Sequence, residues 1–568
     1  MIHFPFPIVN KDDSHCLDCY RCLRKCPLDA IEFSSGRARI ITDSCVVCGE
    51  CITECPQHTK RVISDFDFVV RALKEGKPLI LSLGESVLLS GKMSIMEMAD
   101  KAYDIGFDYI EETDVMEEAV MREVADYVRG SEKIVLASHC PVVVNLIEQH
   151  FPQWIDYLLP IPSLASIHAR DLKARYPEHM VVHASACTAE FYNRQNDNNI
   201  DYFITMTELN RLIRFTPSRR NHLESKDMYY EELDGGYAFS IIGNMSTHLI
   251  DDGVVDKSQT EWYSGLSTCI DILKDHEIAM NENVQFLELL ACDSGCVNSI
   301  DISREHSIFT RTLAVKQYNA DRVYLPNVDL SAPLQKAQFT ARQYVPKSID
   351  IADVRQELKE CFADTEAKAL NCGACGYDTC FIKSQAVVRG EADRDMCISY
   401  MKAKAENFAN AIFNDIENGI LVFDRDYKIL QANPYVKKMF APLIVDVGTY
   451  LTDVMDITYL RLAVEKNEVI HNVRIAFKDL GLWTQQTIQP LEAGVSFVAF
   501  INDITASEKQ REQFNSVKRD LLNNANQVID EQMRTAQEIA SLLGETTAAT
   551  KITLLNLMKE FEREKELT

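Results

Sequence analysis

Positive charge is scarce in this 568-residue chain: 59 lysines and arginines stand against 85 aspartates and glutamates, a net charge of −26. Nucleic-acid binding needs clustered cations to displace counterions from phosphates, so a chain this acidic excludes nucleic acid as its main partner. Long hydrophobic runs are also missing, and no stretch approaches the ~20 apolar residues of a membrane span. The opening Met1-Ile-His-Phe-Pro-Phe-Pro7 has no charged segment followed by an apolar one, so it does not read as a signal peptide. The expected compartment is the cytoplasm, with no membrane partner. Disulfides are rare there, so the 18 cysteines are expected to be metal ligands or redox groups.

What is present is an ordinary globular composition, 46% hydrophobic and 25% charged, which excludes collagen-like and wholly disordered chains. At roughly 100–200 residues per domain the length predicts three to five domains. The cysteines mark several of them. Cys16-x2-Cys19-x2-Cys22-x3-Cys26-Pro27 returns as Cys45-x2-Cys48-x2-Cys51-x3-Cys55-Pro56. In such a run three thiolates on a tight loop hold one cubane, and the fourth cysteine reaches across to the other cluster. Cys16, Cys19, Cys22 and Cys55 are therefore assigned to one [4Fe–4S] cluster, and Cys45, Cys48, Cys51 and Cys26 to a second. Zinc is the competing reading, but zinc sites rarely use this spacing. The pattern resembles bacterial two-cluster ferredoxins.

From Pro78 to about residue 330, strand-like runs alternate with helical segments such as Ser94–Tyr103 and Glu117–Val128. The runs are Leu79–Leu83, Ile134–Ser138, Met180–Ser185, Tyr202–Met206, Phe286–Ala291 and Arg322–Pro326. That order predicts an α/β domain with a largely parallel sheet. Cys140, Cys187 and Cys292 each follow one of these runs, where open α/β sheets collect ligands, and Cys296 lies four residues further on. Taken singly they are compatible with inert core thiols.

Ser138-His139-Cys140-Pro141, Ala186-Cys187-Thr188-Ala189 and Glu288-x2-Ala291-Cys292-x2-Gly295-Cys296 resemble the three signature motifs of the [FeFe]-hydrogenase large subunit. Gly106–Tyr109 and Met116-Glu117-Glu118 are similar to that family too, and the resemblance covers roughly residues 1–345. It implies that Cys140, Cys187, Cys292 and Cys296 hold a cubane. In the family the last of these also bridges to a two-iron subcluster. The departures bear on that second unit. His139 stands where the family has a proton-relay cysteine, and Glu190 where it has a lysine bonded to a cyanide of the diiron group. Leu290 replaces a methionine, and Ser299-Ile300-Asp301 a glycine run. A carboxylate repels an anionic diiron–cyanide group in a low-dielectric pocket, so a cubane without a catalytic diiron partner is expected. His139 remains a candidate proton relay because imidazole titrates near neutrality.

Asn371-Cys372-Gly-Ala-Cys375-Gly376-Tyr377-Asp-Thr-Cys380, with Cys397 sixteen residues on, resembles the small Fe–S domain of corrinoid iron–sulfur proteins and Rnf-type subunits. Cys372, Cys375, Cys380 and Cys397 thus make a fourth [4Fe–4S] set, again with zinc as the alternative. Cys269 and Cys361 are left as ordinary thiols.

No cysteine follows Cys397. Phe408, Ile412 and Ile416, spaced by four, predict a short helix with an apolar stripe. Strands follow at Gly419–Phe423 and Tyr427–Gln431 around an Asp424-Arg425-Asp426 turn, then a helix from Asn433-Pro434, then strands near Val473–Phe477, Trp483–Ile488 and Val495–Asn502. The segment resembles a PAS domain, including Asp503-Ile504-Thr505 at its exit, and its ligand is open. A helix from Ala506 to Leu543 carries Val517, Leu521, Ala525, Ile529, Met533, Ala536, Ala540 and Leu543 at steps of three and four. That stripe faces a dimer partner or packs back on the sheet. Gly544 breaks it, and Ile552, Leu555 and Met558 begin another.

The expected architecture is multidomain α/β and α+β. It comprises a ferredoxin-like dicluster module (1–60), an α/β hydrogenase-large-subunit-like domain (61–350), a four-cysteine Fe–S domain (351–403), a PAS domain (404–505) and a C-terminal helical segment (506–568). The leading functional expectation is a redox sensory protein with four [4Fe–4S] clusters, more a sensor than an enzyme. It would exchange electrons with a donor or acceptor protein, form a homodimer through the PAS domain and helix, and signal to a separate output protein, since no kinase, phosphatase, cyclase or DNA-binding motif follows. The alternative is an oxidoreductase, hydrogenase or other reductase, acting at the Cys140/Cys187/Cys292/Cys296 cluster, with His139 and Glu190 for acid–base work.

Overall fold

The computed structural model describes residues 6–10, 15–84, 87–89, 93–193, 199–218, 237–275, 283–320, 334–361, 369–491, 494–543 and 553–560. The chain divides into two compact units, Met1–Met401 and Lys402–Thr568.

In the first unit, the cysteine-rich start is built on two short ribbons. Strand β1 (Ile8–Asn10) pairs antiparallel with β4 (Lys60–Val62), and β2 (Ile31–Ser34) with β3 (Arg37–Ile40). The α/β region holds two parallel sheets where one was expected. One has the order β6 (Tyr109–Glu112), β5 (Leu79–Leu83), β8 (Met180–Ser185), β9 (Tyr202–Thr205); the other has β10 (Thr260–Ser264), β11 (Phe286–Leu290), β7 (Val135–Leu136). Every residue of β5 and β11 is buried, as in strands covered on both faces, and such strands read as continuous apolar runs. The helices between them start on local signals. Ser94 and Thr205 each form a capping box, with Glu97 and Glu208 respectively, at the heads of helices Ile95–Ile105 and Met206–Phe215. The expected strand at Arg322–Pro326 lies outside the described residues.

The four-cysteine segment packs against the ferredoxin-like ribbon. Leu23, Ile31 and Phe33 share one apolar core with Tyr377, Ala386, Ala392 and Met396, and the Phe33 N–H donates to the Glu391 carbonyl at 2.7 Å. Gly376 sits at φ +97°, where a Cβ would meet Leu23 Cδ2 at 2.4 Å, so only glycine allows this approach.

The second unit contains a five-stranded antiparallel sheet in the order β13 (Ile429–Ala432), β12 (Gly419–Asp424), β16 (Ser496–Asp503), β15 (Leu482–Leu491), β14 (Ile470–Phe477). Asp424 Oδ1 accepts from the Asp426 and Lys428 N–H groups and closes the first turn. Buried Asn433 caps helix Pro434–Met439 by accepting from Val436 N at 3.0 Å, and also accepts from Ile420 N at 3.0 Å, tying helix to strand. Two helical expectations change. The short helix is eighteen residues long, Ile398–Asp415, and its stripe is uncovered, with Phe408 69% and Ile412 48% exposed. The long helix, Thr505–Leu543, likewise leaves Val517 and Leu521 exposed, so this stripe does not pack back on the sheet. Gly544 and Ile552 lie outside the described residues, and 553–560 are helical.

Candidate metal centres and the cysteine pocket

The two halves of the ferredoxin-type repeat bring their cysteines close together. Burial pushes the Cys22 thiol up, Lys60 opposes this, and the nearby Cys55, Cys16 and Cys19 push it further. Burial likewise raises Cys48 well above an ordinary thiol, and its thiol neighbours are Cys26, Cys45 and Cys51. Cys55 is thus a neighbour of Cys22 and Cys26 of Cys48, while Cys26 also neighbours Cys22 in its own half. Backbone N–H groups of Val47 and Thr59 donate to Cys45 and Cys55 Sγ at 3.4 Å, the kind of bond that tunes cluster sulfurs. The second loop leans on the α/β region. Thr188 donates to the Val47 carbonyl at 2.6 Å, and a Cβ on Gly49 (φ +78°) would meet Ile300 Cδ1 at 2.6 Å.

Cys140, Cys187, Cys292 and Cys296 line one cavity with His139, Glu190, Leu290 and Ser299. They arrive from both sheets: Cys140 precedes helix Pro141–His150 after β7, Cys187 follows β8, and Cys292 follows β11. Burial raises Cys187 well above an ordinary thiol, with Glu190, Cys292 and Cys140 adding to it, and burial with Cys140 brings Cys292 up to about 12. This donor set, four thiols on one enclosed space, fits a cubane, and loading it would release the protons these thiols hold. The motif residues around it have structural work. Glu288 is fully buried and accepts from Gly243 N, Ser246 N and Ser246 Oγ at 2.9–3.0 Å, while Glu117 accepts from the N–H groups of Tyr237, Ala238 and Phe239.

His139 and Glu190 both line the cavity, in unlike states. Both ring nitrogens of His139 are buried without a hydrogen-bond partner, its ring lies 6.0 Å from that of Phe239, and burial lowers it to about 4. A neutral, unpartnered imidazole is the result. Glu190 is bound instead: His183 Nε2 lies 2.9 Å from its Oε2. No motif marks His183 in the sequence, nor Ser82 and His168 beyond it. Ser82 and His183 are polar residues inside apolar strands, His168 lies on a separate helix, and the three meet only through folding.

Cys372, Cys375, Cys380 and Cys397 line a separate small cavity with Tyr377 and Lys383. Asn371 Oδ1 accepts from Cys380 N at 2.8 Å, and helix Cys380–Arg389 then leads to the short turn before Cys397. Lys383 is fully buried; its Nζ donates to the Asp393 carbonyl at 2.6 Å, lies 5.2 Å from the Tyr377 ring centre, and is lowered to about 8 by burial. Cys269 and Cys361 stay outside the four sets, donating to the Leu290 carbonyl at 3.6 Å and to Glu357 at 3.0 Å. Among the described residues no three His, Cys, Asp or Glu converge as a site for a single metal ion, and no helix is long and apolar enough to cross a membrane.

Three family profiles match this chain. The C-terminal domain of the iron-only hydrogenase large subunit matches residues 79–299, a putative Fe–S cluster family 369–399, and the 4Fe–4S dicluster domain 8–59. The molecule is therefore a mixed α/β multidomain protein with hydrogenase-like and dicluster modules, and these domains indicate [4Fe–4S] clusters. No curated protein matches it. Solved structures similar to it include an [FeFe]-hydrogenase studied for oxygen damage to its H-cluster (15% identity, TM-score 0.36, 49% of this chain and 99% of that one). An [FeFe]-hydrogenase variant from Chlamydomonas reinhardtii gives 13% identity and TM-score 0.35, over 49% and 99% of the two chains. A PAS domain of an HTR-like protein from Haloarcula marismortui gives 16% and 0.15, over 19% and 97%.

Proposed function

We propose that this protein is an iron–sulfur redox sensor that binds four [4Fe–4S] clusters and reports their state through a PAS-type module. What supports this reading is that all eighteen cysteines lie in the first compact unit, sixteen of them in the spacings of four cluster sets, while the second unit carries a sheet and a long helix with no cysteine. Packing supports electron exchange between the sets. Cys22, Cys26, Cys51 and Cys375 belong to or pack on one core, and Cys48, Cys51, Cys187 and Cys296 pack on another. Cluster ligands would be Cys16, Cys19, Cys22 and Cys55; Cys26, Cys45, Cys48 and Cys51; Cys140, Cys187, Cys292 and Cys296; and Cys372, Cys375, Cys380 and Cys397. Each bound cluster supplies one-electron redox chemistry.

The third cluster is read as lacking a diiron partner. Beside it stand a neutral imidazole and a carboxylate, and neither offers the thiol or cation that a cyanide-bearing diiron unit uses. The exposed Val517 and Leu521 stripe supports a homodimer through the long helix, with a separate protein receiving the signal. Iron analysis after anaerobic reconstitution is expected near sixteen per chain by the stoichiometry of four cubanes. Infrared spectra of anaerobically matured protein are expected without CO or CN⁻ stretches. Half that iron with zinc filling the rest, or hydrogen evolution at hydrogenase rates, defeats the reading in favour of zinc sites or an oxidoreductase.

A further inference from the structure

A continuous hydrogen-bonded string runs from the cysteine pocket through the β6–β5–β8–β9 sheet. Glu190 Oε2 lies 2.9 Å from His183 Nε2, and His183 Nδ1 lies 2.9 Å from Ser82 Oγ. The same Oγ lies 2.9 Å from His168 Nδ1, and His168 Nε2 lies 3.1 Å from Glu111 Oε1. Ser82 and His183 are register partners on adjacent parallel strands, so their side chains leave the same face of the sheet. His168 comes down on them from helix Leu164–Arg175. Ser82, His168 and His183 are wholly buried.

Proton counting gives the number of protons with which every bond of the string is made. Each ring turns Nε2 toward a carboxylate; while both carboxylates are ionised they only accept, and both Nε2 atoms then carry a proton. The serine hydroxyl has one proton and two ring neighbours: it donates to one Nδ1 and must accept from the other. Two neutral rings supply two N–H groups, and the four bonds of the string require three on the rings. One further proton is therefore needed. It has three placements: on His168, on His183, or on Glu190 with both rings neutral. Every bond has a donor in each, and they interconvert by proton hops along bonds already made.

The outer end is held by an arginine. Arg175 donates to both oxygens of Glu111, at 3.0 and 2.5 Å, and to Asp171 at 2.6 Å. Burial alone would raise Glu111, but the bonds from His168 and Arg175 outweigh it and bring it to about 2. Glu111 thus stays ionised, and the proton has no exit through it. The charged groups facing the string are Glu190, Glu111, Arg175 and Asp171, with the rings of Phe203 on His183 and Tyr176 on Arg175.

We propose that Glu190, His183, Ser82, His168 and Glu111 form a closed proton shuttle that holds one mobile proton and delivers it to Glu190 when the cysteine pocket gains negative charge. On one-electron reduction of the cubane by an added viologen radical, the electron stays on the cluster. The proton passes from His168 to Ser82, the serine proton to His183, and the His183 Nε2 proton to Glu190, so no proton crosses the protein surface. The trigger rests on the cubane reading above; the proton count does not.

Two measurements on the full chain test this. In reduced-minus-oxidised infrared difference spectra, a new carboxylic-acid carbonyl band is expected together with bands that shift when histidine is ¹⁵N-labelled. Ser82→Ala should lose both, Ser82→Thr should keep both, and Glu190→Gln should lose the carbonyl band alone. Wild-type spectra without histidine-sensitive bands, or Ser82→Ala spectra equal to wild type, overturn the shuttle. If the Cys140 set holds no cluster by EPR, the sensor reading fails, and the string is judged by ¹⁵N NMR of the iron-free chain, with His168→Gln and His183→Gln for assignment. One doubly protonated ring, or two neutral rings beside a protonated Glu190, supports the count; two neutral rings beside an ionised Glu190 overturn it.

Discussion

The Cys372 and Cys140 sets lie in the same compact unit and face opposite charges. Lys383 lies fully buried on the wall of the first, and Glu190 lines the second beside a neutral His139. Reduction adds a negative charge to a cluster, and in a poorly screened interior a neighbouring cation favours that step while a carboxylate opposes it. With a cluster in each set, the lysine would favour an added electron at the Cys372 set and the carboxylate would oppose one at the Cys140 set. The contrast teaches that the ligand count alone does not describe either site. The residue one helical turn from a cysteine decides what the site does with charge.

The largest way to break the comparison is to remove one site at a time. Cys187→Ser should lower iron from about sixteen to about twelve per chain, and Cys375→Ser should do the same through a different EPR signal. Loss of the same signal in both variants would mean that the two sets do not form independent sites.

The anionic side also carries an acid-sensitive anchor. Glu111 is held at about 2 against an ordinary 4.5, a depressed carboxylate. Its stabilisation is therefore present above pH 4.5 and lost as the pH falls toward 2, and the difference corresponds to about 3 kcal/mol. Glu111→Gln should lower unfolding free energy by about that amount at pH 7 and by little near pH 2, as read by denaturant titration. An equal loss at both pH values would assign Glu111 a packing role only.

Swapping charge sharpens the contrast directly. At ~8 Å and an effective dielectric of ~20, one unit charge is worth about 2 kcal/mol, or ~90 mV for a one-electron couple. Lys383→Met should lower the midpoint potential of the Cys372 set by that order, and Glu190→Gln should raise that of the Cys140 set. EPR-monitored redox titration reads both, and shifts of the same sign would end the comparison.

How much of this the sequence disclosed follows from how far apart the partners lie. Each ferredoxin-type loop and the Cys372–Cys380 loop is a local spacing, fixed by short chain geometry, so its grouping is legible. The repeat of the motif is legible too, and it is what suggests that Cys26 and Cys55 cross. His139 and Glu190 stand out only as departures from a family pattern. The shuttle does not stand out at all: Ser82 is one hydroxyl in the fully buried strand Leu79–Leu83, and His183 sits in the equally apolar Met180–Ser185. Their meeting depends on strand register, which no local pattern encodes. The helical stripes at Phe408 and Val517 show the reverse limit. Periodicity identifies an apolar face, and nothing in it states whether the fold covers that face.

The smallest effect separates positioning from charge. Both sites hold one ligand's backbone with a short polar side chain: Ser185 Oγ accepts from Cys187 N at 2.9 Å, and Asn371 Oδ1 from Cys380 N at 2.8 Å. At the cationic site Thr379 adds a helix cap, accepting from Ile382 N at 3.1 Å at the head of the helix that carries both Cys380 and Lys383. Thr379→Ala removes that acceptor and should cost ~1 kcal/mol, the usual value of an N-cap. Because Lys383 stays on the same helix, the potential of the Cys372 set should move far less than in Lys383→Met, while thermal unfolding of the first unit comes earlier. A potential shift as large as that of Lys383→Met would show that helix placement, rather than the lysine charge, sets the difference between the two sites.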